Sequence, residues 1–214
     1  MTISLLGYII PQMAVPEISV PDKVTITLRN PDRYFLTDRR SRTLIDLLYI
    51  AGPIPASDIR TAERQFHSLV YLAQEFGVID TAYDFSIGIN KRDLFSGHLS
   101  WDLNMTSLKD MSRHLEEDGR SFKLTPKAIE LLEAVGGVQT IDPGNEDAIK
   151  ELALLAQDKR LVLLADFVFL RKEVNKRLEE GKLTYDEANM ILSRLGPPPL
   201  RKELEELEEK FRSS

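Results

Sequence analysis

Cysteine is absent from all 214 positions. That removes disulfides, thiolate metal sites and Cys nucleophiles together, and it fits a reducing compartment. Long apolar runs are lacking too: Leu161–Ala165 and Phe167–Leu170, parted by Asp166, fall far short of the roughly 20 residues that span a bilayer. The apolar stretch from Met1 to Pro16 has neither a basic leader nor a small-residue cleavage motif, and Pro11 interrupts it. These absences predict a soluble cytoplasmic chain with no membrane partner.

Basic charge is also in deficit. With 28 Lys and Arg against 34 Asp and Glu, the net charge is −6, the opposite sign to a protein that coats nucleic acid. Any phosphate-binding surface has to be local. No G-x-S-x-G elbow, P-loop or G-x-G-x-x-G occurs, and His67, His98 and His114 stand far apart, outside any metal-ligand spacing. The expectation is a non-enzyme with no catalytic residue, no metal and no cofactor.

What is present reads as mainly α with a small β component. Residues 1–40 carry four prolines, Pro11, Pro16, Pro21 and Pro31, which forbid a long helix; Lys23–Leu28 alternates at period two, so this part reads as an extended arm with one strand. From Ser41, a plausible cap, Leu44, Ile45, Leu47 and Leu48 form a helical stripe that Gly52 stops. A second helix over Asp58–Phe76 places Phe66, Leu69, Val70 and Ala73 inward. Val78–Ile89 alternates Tyr83, Phe85, Ile87 and Ile89 like a strand or strand pair. A short helix near Leu99–Leu103 and a longer one from Thr106 follow, the latter with Leu108, Met111 and Leu115 inward and Gly119 at its end.

The stretch Gly119–Glu133, "GRSFKLTPKAIELLE", reads as a tight turn, a short strand and a helix capped by Thr125 with Pro126 at its first position. A hairpin wing followed by a last helix would look like this, so residues 41–137 are assigned to a winged-helix-like domain. Gly136–Asn145 is the linker candidate. The 138–214 remainder is a helical extension: Glu146–Glu180, Thr184–Leu195 and, after the stop at Gly196–Pro199, Leu200–Phe211.

Two sets of candidate contact residues follow. In a winged helix the hairpin and its helix meet the duplex backbone through Arg and Lys. Here Lys109 and Arg113 fall one helical turn apart, Arg120 and Lys123 flank the wing, and Arg39 and Arg40 close the most basic stretch. Between Asp22 and Arg42, six basic residues face three acidic ones, with Tyr34 and Phe35 interleaved. The set for a protein partner is Trp101, the sole tryptophan, with Leu204, Leu207 and Phe211 in a tail whose apolar seam starts at Leu200. That seam either docks on its own chain or pairs with another.

The helix Gln65–Phe76, "QFHSLVYLAQEF", resembles the F-x-x-L-V-[FY]-L-x-Q helix of the Panacea or SocA-like antitoxin superfamily and its YwgA-like relatives. Phe66, Leu69, Val70, Tyr71, Leu72 and Gln74 match. Tyr83–Phe85, the turn Gly97–Ser100 and Lys123–Ala128 follow in the family's order over roughly residues 42–135, with departures at Ser68, His98 and Ala128. The resemblance implies a winged-helix-like domain used for protein contact, often antitoxin-like, without enzymatic activity. Arg177–Leu195 resembles the short SHOCT helical hairpin, which implies an oligomerisation or tethering element, against an ordinary hairpin packed on the main domain. The expected partners are a protein, duplex DNA as the alternative, and a second copy through the C-terminal helices.

Overall fold

A computed structural model of the chain describes residues 39–55, 59–87, 94–105, 113–115, 120–158, 160–195 and 198–213. It is mainly helical with a small β component. The strand expected at Lys23–Leu28 lies outside the described residues.

Helix α1 (Arg39–Ala51) runs through the centre and is buried from Ser41 to Leu48 and at Ile50. Ser41 does not cap it: the helix starts at Arg39, and Ser41 is inside it and buried. Gly52, at φ +68°, ends the helix where a side chain would be strained. Strand β1 (Ile54–Pro55) leads to α2 (Ile59–Glu75), which buries Phe66, Leu69, Val70, Leu72 and Ala73. The apolar spacing of α2 dictates that face.

The strand expected over Val78–Ile89 does not begin before Ser86. Among the described residues of that stretch, β2 (Ser86–Ile87) pairs with β3 (Leu94–Phe95) as an antiparallel hairpin. Before it, Gln74 takes the place of a strand neighbour. Its Nε2 donates to the Tyr83 carbonyl at 3.2 Å and its Oε1 accepts from the Tyr83 N–H at 2.8 Å. Helix α3 (Gly97–Met105) follows.

Strands β4 (Arg113–Leu115) and β5 (Arg120–Phe122) form the hairpin expected of a wing. This corrects the helix from Thr106 at its C-terminal end: Arg113 and Leu115 are strand residues, opposite Phe122 and Arg120. Local spacing favoured helix there, but pairing with β5 decides. Residues 106–112, with Lys109, lie outside the described part. Because β5 also pairs with β1, the sheet order is β1–β5–β4. Apart from the β2–β3 hairpin, the order of the described elements (helix, strand, two helices and two strands, with β5 between β1 and β4) is the one expected of the winged-helix-like domain. Helix α4 (Pro126–Ala134) closes it, and Thr125 Oγ1 accepts from the Ala128 N–H at 3.3 Å, the cap that the sequence announced.

The C-terminal extension shares this core. Gly136–Asn145, a linker by composition, is pinned: Asp46 Oδ2 accepts from Gln139 N at 2.9 Å and from Thr140 N and Oγ1, each at 2.8 Å. Where one helix was expected over Glu146–Glu180, α5 (Glu146–Leu154) and α6 (Arg160–Glu179) are parted by a 3₁₀ turn, Leu155–Asp158. Gln65 Nε2 donates to the Ala156 carbonyl in that turn at 3.0 Å. Helix α7 (Tyr185–Leu195) turns back on α6 through Gly181, at φ +70°. Helix α8 (Pro198–Ser213) begins at the prolines read as a stop, because proline suits the first helical turn. Leu204 and Leu207 of α8 join Leu44, Phe66, Leu152 and Leu164 in one apolar cluster.

Thr184 caps α7 reciprocally. Its Oγ1 accepts from the Glu187 N–H at 3.3 Å, and the Glu187 carboxylate accepts from the Thr184 N–H at 2.9 Å and hydroxyl at 2.8 Å. These bonds hold the Glu187 carboxyl below its ordinary range. A group shifted this way stabilises α7 above the ordinary carboxylate range and loses that contribution as pH falls through its folded value. Thr184→Ala should speed amide exchange in α7 roughly five- to tenfold, with the rest of the chain unmoved. Uniform acceleration would count against a local cap.

Candidate interaction surface

Helix α3 is fixed from beneath. Ser96 Oγ accepts from the Leu99 N–H at 3.3 Å and so caps the helix, while the Ser96 N–H donates to His67 Nδ1 at 3.2 Å. His67 is buried in α2, stacked on Phe95 with ring centroids 5.1 Å apart and edge-on to Phe85 at 6.4 Å. Its Nδ1 is an acceptor here, so its place is structural. Leu99 then enters the core, fully buried.

The next turn carries a polar knot. Asp102 accepts the Tyr83 hydroxyl at 2.9 Å and the Arg40 guanidinium at 3.1 Å, and that guanidinium also sits 4.8 Å above the Tyr83 ring. Burial, reinforced by the Asp102 charge and hydrogen bond, pushes the Tyr83 phenol well above its ordinary value. Arg39 pairs with Asp80 beside it. Held by these contacts, α3 presents Trp101 with 61% of its surface open.

Of the six candidate phosphate contacts, Lys109 lies outside the described residues. Arg39 and Arg40 are committed to Asp80 and Asp102 at the root of α1. Arg113 and Arg120 stand at opposite ends of the β4–β5 ribbon, and Lys123, just past β5, is half-buried. Of the four partner candidates, Trp101 is exposed. Leu204 and Leu207 are corrected: they are 1% and 6% exposed, because α8 lays its seam on its own chain. Phe211 falls on the last turns of α8.

Sequence reading missed Tyr83, Asp102 and Asp46 as organising residues. Most of their partners lie 19 to 94 positions away, beyond any local signal, although Arg42 is one helical turn from Asp46 and Gln74 nine positions from Tyr83. The local clue that was available is the i, i+4 spacing of Arg42 and Asp46 on one helix.

No protein-family model matches the chain, and neither a curated protein nor a solved structure does. Among the described residues no helix is long and apolar enough to cross a membrane, and no three potential metal ligands converge.

Proposed function

We propose that the chain is a non-enzymatic protein-interaction module, antitoxin-like or regulatory, whose contact surface is α3 around Trp101. The observation that carries this is the open indole of Trp101 on a helix anchored by Ser96, Leu99 and Asp102. A rigid exposed tryptophan is the side chain that most often anchors a protein interface, since it buries a large area at low entropic cost. Helix α3 has no Lys or Arg, and its one carboxylate is used internally, which suits an apolar partner surface better than a phosphate backbone. The likeness of Gln65–Phe76 to the antitoxin helix supports the same class.

The test is photo-cross-linking in cells from position 101, with position 163, another exposed apolar site, as control. A discrete protein adduct from 101 that is missing from 163 is expected. Identical adduct patterns from the two positions would overturn the assignment.

A second reading, duplex-DNA binding by a regulator, draws support from the hairpin, of which Arg113 and Arg120 are strand residues, because the basic residues of a wing would meet the flanking backbone. It requires binding that falls by orders of magnitude between about 50 and 200 mM salt. Fluorescence anisotropy of a mixed-sequence duplex, with Arg113→Glu/Arg120→Glu as the comparison, decides it. Under the favoured reading neither protein binds the duplex at either salt.

A further inference from the structure

We propose that His67 is an acid-sensitive latch on α3: protonation of its ring removes the acceptor that holds Ser96, and the helix that carries Trp101 loosens. The consequence for a partner, a contact surface regulated by pH, rests on the Trp101 reading, whereas the latch itself does not.

At neutral pH the place of His67 is structural, and the same geometry makes it sensitive to acid. A backbone N–H can only donate, so the 3.2 Å contact from the Ser96 N–H fixes Nδ1 as the bare nitrogen of the ring and puts the ring proton on Nε2. An imidazolium carries a proton on both. Its Nδ1–H would point at the Ser96 N–H, two donors face to face, in a joint where His67 and Ser96 are both buried. The stack on Phe95, with ring planes 9° apart, survives protonation, because a cation is attracted to an aromatic face. The bond to Ser96 does not.

Ser96 concentrates the effect. Its Oγ accepts from the Leu99 N–H at 3.3 Å and its carbonyl from the Ser100 N–H at 3.0 Å, so the first turn of α3 hangs on the residue that His67 holds. A helix of nine residues is too short to persist in water without such support.

The released ring takes up its proton near the ordinary value of about 6.5, and the latched ring gives it no place, so the latch is complete above that pH and weakens below it. Among the described residues, the other charged and titratable groups around this joint fall outside that window, with one exception. On α2, Glu63 and Arg64 precede His67 by about one turn and Tyr71 follows by one, and Arg64 reaches Asp166 of α6 at 3.4 Å. Tyr83 and Asp84 directly precede Phe85, Asp102 of α3 holds Tyr83 and Arg40, and β5 brings Arg120. Carboxylates titrate about two units below imidazole, and tyrosine and arginine far above it. The exception is His98, exposed in the first turn of α3, where its cation would oppose the helix dipole.

The test is amide exchange followed by NMR in the His98→Gln/His114→Gln chain, whose sole histidine is His67. Between about pH 6.5 and 5 the protection of the Leu99 and Ser100 amides, corrected for intrinsic exchange, should fall by up to tenfold per pH unit while that of α4 stays level. His67→Asn, made in that chain, places an oxygen at the same δ position, an acceptor that does not titrate, and its α3 protection should not change with pH. His67→Phe, with no acceptor, should show the low protection already at pH 7. The ring nitrogens of His67 report the proton directly and need no change at position 67. Protection of α3 that stays level with α4 down to pH 5, an equal fall in His67→Asn, or a ring that takes up its proton with α3 still protected would each overturn the proposal. Because no partner enters the measurement, a failed latch leaves the Trp101 reading intact, and a missing adduct at position 101 leaves the latch intact.

Discussion

Replacing Asp46 with alanine is expected to lower the unfolding free energy by about 3–5 kcal/mol, a large share of what a domain possesses. Asp46 is fully buried in α1, and both its oxygens are used. Oδ1 accepts from Arg42 Nε at 2.9 Å, one helical turn away, and Oδ2 accepts three bonds from Gln139 and Thr140. Arg42 is itself 4% exposed, and its guanidinium donates onward to the Gly137 carbonyl. Alanine at position 46 would leave a buried cation without its carboxylate and three loop donors without an acceptor, and an uncompensated buried charge is what makes breaking such a pair costly. Arg42→Leu should cost less, because Asp46 keeps its three donors from the loop. Urea unfolding gives both values as midpoint shifts at unchanged slope. If Asp46→Ala unfolds within 1 kcal/mol of the wild type, the pin between α1 and the loop before α5 contributes little.

The same residue marks where sequence reading ends. Gly136–Asn145 has the composition of a linker, and nothing within ten residues contradicts that. The acceptor that orders it belongs to a helix 94 positions earlier, seen from sequence only as one polar residue in an apolar stripe. The C-terminal helices are therefore tied to α1 both by this pin and by the shared cluster that includes Leu204 and Leu207.

Features decided by neighbours in the chain were legible. Thr125 with Pro126 and Thr184 with Glu187 satisfy helix N–H groups three residues on, so their residue types reveal the caps. Glycines at positive φ ended α1, α2 and α6 for an equally local reason. Arg113–Leu115 was misread because the periodicity of Leu108, Met111 and Leu115 is helical, while the hydrogen bonds that make it a strand come from β5. On the candidate surface Trp101 could be named as a candidate, but its exposure could not be told from a core or joint position. Its support could not, since Arg40, Tyr83 and Asp102 reach the knot from three separate elements.

Tyr83 and its neighbour in the aromatic cluster, Tyr71, set the second large effect, a steep loss of stability in alkali. Both phenols are pushed well above their ordinary value of about 10. Burial is the largest cause in each, followed by the Glu75 charge for Tyr71 and the Asp102 charge for Tyr83. The unfolded chain gives up these protons near pH 10 while the folded chain keeps them, so above that point the unfolded state binds fewer protons and stability falls as pH rises. Below pH 10 the contribution is complete; above it each tyrosine removes up to about 1.4 kcal/mol per pH unit until it titrates in the folded chain as well. Two variants separate this from general alkaline damage. Tyr71→Phe should be almost neutral at pH 7, because the buried Tyr71 hydroxyl has no hydrogen-bond partner among the described residues. Tyr83→Phe should cost about 1–2 kcal/mol there, because it breaks the bond to Asp102. In alkali each should flatten the stability slope by up to about 1.4 kcal/mol per pH unit. Urea midpoints between pH 9 and 12 would show it, and slopes that stay parallel in the wild type and both variants would place the alkaline loss elsewhere in the chain.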